Sequence, residues 1–142
     1  MRLAVTSQGS QLESPVDPRF GRCAYLVVLD LDTGSWEAIV NPGANASGGA
    51  GIQTAQLVVD LGANAVATGN IGPNAMAVLN SAGIQVYNAS HGSVRDTAVA
   101  FNERRLRPVP ESTVGTHFGM GGRGSGGGGA QRGRGRTGFG RS

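Results

Sequence analysis

The residues of this chain best suited to chemistry crowd into one turn, Val16-Asp17-Pro18-Arg19-Phe20-Gly21-Arg22-Cys23. It holds two arginines and the chain's single cysteine within five positions. Guanidiniums stay charged at any physiological pH and present forked N–H donors, and a thiolate is a soft metal ligand. A glycine beside a phenylalanine lets the backbone approach a bound group. Arg19, Phe20, Gly21, Arg22 and Cys23 therefore make a seat for an anionic, sulfur-rich ligand. The alternative is structural: the arginines pair with Asp17, Glu13 or another surface acid, Phe20 plugs the core, and Cys23 is a small buried hydrophobe at the start of a strand.

Two further stretches belong with that turn. Gly69-Asn70-Ile71-Gly72, ahead of Pro73, presents free backbone N–H groups at a helix N-terminus and suits an anion, with Gly69, Asn70 and Gly72 as the contact residues. His91 follows a strand and precedes a helix cap, so it is expected at a strand's carboxyl end, in the same cleft. Cys23 and His91 are the candidate metal ligands; a solvated loop histidine is the other reading of His91.

Several chemistries lack their residues. There is no C-x-x-C or H-x-x-x-H spacing for a classical zinc site. All 12 cations are arginine, so a phosphate-binding loop that needs lysine is excluded. The acids sit mainly at turns and helix surfaces: Asp30 and Asp32 border a hairpin, Glu37 is exposed by alternation and Asp96 caps a helix. Such scattering argues against two-metal nuclease chemistry and against an enzyme.

The turn needs a scaffold, and the chain supplies one in its first 110 residues. Composition changes sharply beyond that point: 13 of the 25 glycines lie in residues 115–142. Residues 1–114 carry a net charge of −2 and the remainder +5, so the basic pI belongs to the tail. The expected organisation is an α/β domain over residues 1–110 and a disordered Gly/Arg-rich tail over 111–142, with too little apolar surface to offset ordering entropy. One cysteine excludes an internal disulfide, and neither a secretory h-region nor a membrane-spanning apolar run is present; a cytoplasmic protein is expected.

Within the domain, strands are predicted at 2–6, 25–30 and 36–40, the last two joined as a hairpin through Asp32-Thr33-Gly34-Ser35. The polar residues 7–14 are expected to stay out of the core. A loop over 43–51 leads to a helix at 52–61 with Ile52, Ala55 and Val59 as its apolar stripe. A buried strand at 65–67 follows, then a helix from Pro73 with Met76, Leu79 and Ala82 inward. A strand at 84–87 and a helix opened by the Ser93-Val94-Arg95-Asp96 capping box close the domain. The fold class is α/β: a mixed five-stranded sheet, three antiparallel strands and then αβαβα, with helices packed on it.

The order V-D-P-R-F-G-R-C-A-Y, then N-P with a G-G-A-G-I loop, then A-T-G-N-I-G-P-N-A and A-G-I-Q-V-Y, resembles the dinitrogenase iron–molybdenum cofactor biosynthesis family over about residues 1–107. This is the family of NifX, NafY and the C-terminal region of NifB, and the chain is also similar to its stand-alone molybdenum–copper orange protein group. The resemblance implies a ribonuclease-H-like fold and a non-enzymatic protein that binds or carries a preformed metal–sulfur cluster, of molybdenum–copper sulfide or iron–molybdenum or iron–sulfur type. It places the family's P-R-F-G-R pattern on Pro18 to Arg22 and its glycine loops on Gly48 to Gly51 and Gly69 to Gly72. Many members have another residue where Cys23 stands. Implied partners are the inorganic cluster and a protein such as a cluster donor, acceptor or accompanying ATPase, with no membrane. The alternative is a regulatory or interaction module whose Arg/Gly tail binds RNA or an acidic protein; aromatic interleaving there is limited to Phe118 and Phe139.

Overall fold

A computed structural model describes residues 1–45 and 49–110; the predicted tail over 111–142 and Gly48 of the glycine loop lie outside the described residues. Five strands form one sheet: β1 (Arg2–Ser7), β2 (Tyr25–Asp30), β3 (Trp36–Val40), β4 (Ala65–Thr68) and β5 (Gln85–Asn88), in the order β3-β2-β1-β4-β5. β1–β2 and β2–β3 pair antiparallel, β1–β4 and β4–β5 parallel. Three helices, α1 (Ala50–Asp60), α2 (Pro73–Ser81) and α3 (Val94–Asn102), supply the crossovers and the closing layer. The mixed architecture expected from the two halves of the sequence is present. No helix among the described residues is long and apolar enough to cross a membrane.

Alternation on the strands sorts the core into two layers. Ala4, Leu26, Val28, Val66 and Val86 face α1 and α2 and meet Ala55, Val58, Ala75, Met76 and Leu79. Leu3, Val5, Val27, Leu29 and Tyr87 face the other way, onto Val94 and Phe101 of α3. The Tyr87 and Phe101 rings meet edge to face with centroids 5.0 Å apart, a favoured aromatic geometry. Because β1 is central, the loop leaving its carboxyl end is anchored on both sides of the sheet.

Local differences from the sequence expectation have physical causes. α1 begins at Ala50, two residues early, and buries Ala50, Thr54, Ala55 and Val58. Ile52 is left 43% exposed, because the buried stripe is rotated toward the small residues that let α1 pack closely. Ala82 is the C-cap of α2 and lies exposed, so it does not extend the inward stripe. Residues 7–14 are not wholly excluded from the core, and β1 runs one residue further than expected, to Ser7. Ser7 is buried with its hydroxyl satisfied by the Gly9 carbonyl at 2.7 Å, and Leu12 packs partly against the α3 layer. The α3 capping box forms as predicted: Ser93 Oγ accepts from Asp96 N, and Asp96 accepts from Ser93 N.

Candidate functional site

The loop between β1 and β2 is held by the turn that follows β4. Asn70 N donates to the Pro18 carbonyl at 2.6 Å and Phe20 N donates to the Asn70 carbonyl at 3.1 Å, a short parallel bridge between Arg19 and Asn70. Gly69 makes the approach possible, since a β-carbon there would lie 2.7 Å from the Pro18 oxygen and 2.8 Å from its Cα. On the other side, a β-carbon on Gly21 would lie 2.9 Å from Gly51 N. Both glycines serve close backbone contact.

A polar network fixes that second contact. Asn41, buried at the end of β3, donates from Nδ2 to the Cys23 carbonyl at 2.9 Å, and its Oδ1 accepts from Gly43 N and from Thr54 Oγ1, each at 3.1 Å. One amide thus ties the arginine loop, the 3-10 turn at Pro42–Asn45 and the first turns of α1. Each group in it is satisfied, which is what buried polar atoms require.

These contacts leave a cleft of about 550 Å³ lined by Arg19, Phe20, Gly21 and Arg22, by Gly49 to Ile52 at the start of α1, and by Asn70 and Gly72 to Ala75 at the start of α2. It sits at the carboxyl end of the parallel strands, the customary ligand position in such sheets. Two helix N-termini converge on it. The N-caps, Gly49 and Gly72, have no side-chain cap, and neither first turn holds an acid. Orphan N–H donors and positive dipole ends therefore face the cleft. α3 differs, its start being closed by the Ser93/Asp96 box.

The arginines stand at the rim in different settings. Arg19, largely exposed, donates from Nε and Nη2 to the two carboxylate oxygens of Asp17, each at 3.1 Å, and its backbone N also donates to Asp17 Oδ1 at 2.9 Å. Asp17 is 2% exposed. This hydrogen-bonded carboxylate raises the Arg19 pKa further. Arg19 is thus salt-bridged to Asp17, and it also lines the cleft. Arg22 Nη1 donates to the Ala44 carbonyl at 3.1 Å.

Of the predicted residues, Arg19, Phe20, Gly21, Arg22, Asn70 and Gly72 line one cleft. Gly69 is buried beneath it as a spacer. Cys23 and His91 are not brought there. Cys23 is fully buried, its Sγ donating to the Phe20 carbonyl at 3.3 Å. Burial first, and the Asp17 charge second, push its thiol up to about 12, so it is a protonated core residue at neutral pH and not a presented thiolate. His91 is exposed on the other side of the sheet, beside a separate cavity of about 440 Å³ under α3, with Nδ1 3.4 Å from Ser90 Oγ. The chain turns toward α3 after β5, and this carries His91 away from α1 and α2. Among the described residues no three His, Cys, Asp or Glu gather to hold a metal ion.

Sequence reasoning missed the α1 half of the cleft and the burial of Asp17. The available signal was Gly49-Ala50-Gly51 opening a helix with neither a hydroxyl or amide cap nor an early acid.

Fold and cleft together define an α/β protein that brings two arginines and two uncapped helix starts to one cavity. The chain belongs to the dinitrogenase iron-molybdenum cofactor family, whose model matches residues 1–104. It is similar to the apo form of the orange protein from Desulfovibrio gigas, at 36% identity and a TM-score of 0.77, over 80% of this chain and 96% of that one. It is also similar to the NMR structure of a candidate NifB protein from Thermotoga, at 34% identity and a TM-score of 0.71, over 80% and 97% of the two chains. An uncharacterized protein of Methanocaldococcus jannaschii is 32% identical over 109 residues, 75% of this chain and 89% of its own length.

Proposed function

We propose that this protein is a non-enzymatic carrier that receives, holds and delivers an anionic metal–sulfur cluster in the cleft between the Arg19–Arg22 loop and the N-termini of α1 and α2. The observation that carries the reading is the pairing of two uncapped helix starts with two guanidiniums around one cavity. Sulfide ligands spread negative charge over several soft acceptors, and many weak donors aimed at one volume suit such a surface better than a single strong ligand. With Cys23 buried and His91 elsewhere, the cargo brings its own sulfide ligands and is held by charge and N–H···S contacts. A ribonuclease-H-like sheet would here serve holding and not cutting.

Family membership and the orange protein and NifB-type neighbours support a cofactor-related cargo of molybdenum–copper sulfide or iron–molybdenum or iron–sulfur type. A cytoplasmic protein partner that donates or accepts the cluster completes the proposal. The test is reconstitution of the apo-protein with tetrathiomolybdate and copper, and separately with iron and sulfide, followed by desalting. A charge-transfer band retained with the protein, and weakened as salt rises, is the expected result. No retained band under either condition would sink the reading.

A further inference from the structure

The two edges of the sheet are finished differently. β5 is covered by the chain's own exit: Asn88 N donates to the Arg107 carbonyl at 2.8 Å and Val109 N to the Val86 carbonyl at 2.7 Å. β3 has β2 on one side and no strand on the other among the described residues. Exposed edges are ordinarily blunted with proline, lysine or inward charge. Trp36-Glu37-Ala38-Ile39-Val40 has no proline and no lysine, and a single charge at Glu37. Among the described residues it also carries two of the four large apolar side chains left exposed, Trp36 at 38% and Val40 at 65%.

The hydrogen-bond parity of this edge can be read from its flanks. Asp30 N donates to the Ser35 carbonyl at 2.8 Å and Asn41 N to the Ala24 carbonyl at 3.0 Å. In the β2–β3 register, bonded pairs alternate with unbonded ones. Residues 35, 37, 39 and 41 therefore bond inward to β2, and Trp36, Ala38 and Val40 point their N–H and C=O groups outward.

We propose that β3 is the surface through which two copies of this chain pair, antiparallel, about a two-fold axis at Ala38. That register sets Ala38 opposite Ala38 of the second copy and Trp36 opposite Val40 of the second copy. These and the symmetry-related pair, Val40 opposite Trp36 of the second copy, are bonded pairs, so every outward N–H and C=O of Trp36, Ala38 and Val40 finds a partner. By alternation the same three residues share one face, so each indole packs on the opposing valine, a favourable cross-strand pair. No other register satisfies all the outward groups and covers both exposed side chains. Five residues from each copy bury less than the about 1,200 Å² of total surface typical of stable complexes, so the dimer is reversible and of micromolar or weaker affinity. It uses no residue lining the cleft and does not depend on the cargo.

The test is sedimentation of the full chain from low-micromolar to near-millimolar concentration, with the emission of Trp36, the only tryptophan, followed over the same range. Concentration-dependent dimerisation with a blue shift is expected. Ala38→Pro removes an outward N–H and leaves the bonds to β2, a placement an edge strand tolerates; it should hold the chain monomeric with unchanged circular dichroism. Val40→Lys, which leaves the backbone intact, should weaken association about tenfold or more. A monomer throughout the range, or a dimer that survives Val40→Lys without loss of affinity and with unshifted emission, would overturn the proposal.

Discussion

Gly69 and Pro18 touch backbone to backbone: the amide after Gly69 donates to the Pro18 carbonyl at 2.6 Å, and a β-carbon on residue 69 would lie 2.7 Å from that same oxygen. The arginine loop can rest on the turn after β4 only because residue 69 has no side chain.

Gly69→Ala should therefore push the loop off the turn. The obstacle is backbone, which cannot swing aside, so a loss of about 1–3 kcal/mol is expected, the usual cost of overpacking. Denaturant unfolding measures it, and cluster retention should fall with it because Arg19 and Asn70 part.

Asp17→Asn tests the clamp beneath Arg19. Asparagine keeps the volume and can still accept from Arg19 N, but it has lost the two-oxygen acceptor for the fork. Because Arg19 is largely exposed, its freed charge is solvated, and the stability loss should be nearer about 1–2 kcal/mol than that of a fully buried pair. Retention should drop although the cleft becomes more positive, since the guanidinium is no longer oriented. Equilibrium unfolding and retained absorbance, measured on the same variant, check both.

Gly72→Asp should trade function for stability. Gly72 has the extended backbone of an ordinary N-cap, a conformation aspartate adopts readily, and its carboxylate can accept from the first turn of α2. A gain of a few tenths to about 1 kcal/mol is expected from capping and from the helix dipole. The same carboxylate satisfies the donors that the proposed function assigns to the cargo and repels an anion, so thermal stability should rise while retention falls.

Cys23 gives a pH prediction. The folded thiol, pushed to about 12 from an ordinary 9.0 mainly by burial, holds its proton more tightly than the unfolded chain does. Its contribution to stability is complete below about 9 and declines toward about 12, by about 1.4 kcal/mol per pH unit. Unfolding midpoints measured across this range should fall, and Cys23→Ser should flatten that fall. At neutral pH the native thiol should resist iodoacetamide until the chain is unfolded.

Much of this was legible in the chain. Period-two strands, glycines after helices and the Ser93/Asp96 box delivered the element order and the mixed sheet, because these are local signals. The pairing of the arginine loop with the Gly69–Gly72 turn was legible as two glycine-bearing stretches at strand ends. What escaped was sidedness. Cys23 and Arg22 are neighbours, yet one points into the α1–α2 core and the other to the rim. His91 lies only three residues beyond β5, yet the chain has by then turned to the opposite face. Ile52 looked like core by spacing and is exposed, because the packing surface of α1 is set by what Gly21 and Thr54 must touch. Such choices are tertiary, made by close backbone contacts that no local pattern records.

In the proposed function, charge and backbone donors, not the thiolate, hold the cargo. The most direct measurement compares cluster absorbance retained after desalting in the native chain, Arg19→Ala with Arg22→Ala, and Cys23→Ser, all reconstituted alike with tetrathiomolybdate and copper. Retention near the native level is expected for Cys23→Ser, and its loss in the double arginine variant. Retention by the double arginine variant together with loss in Cys23→Ser would contradict it and make sulfur the anchor.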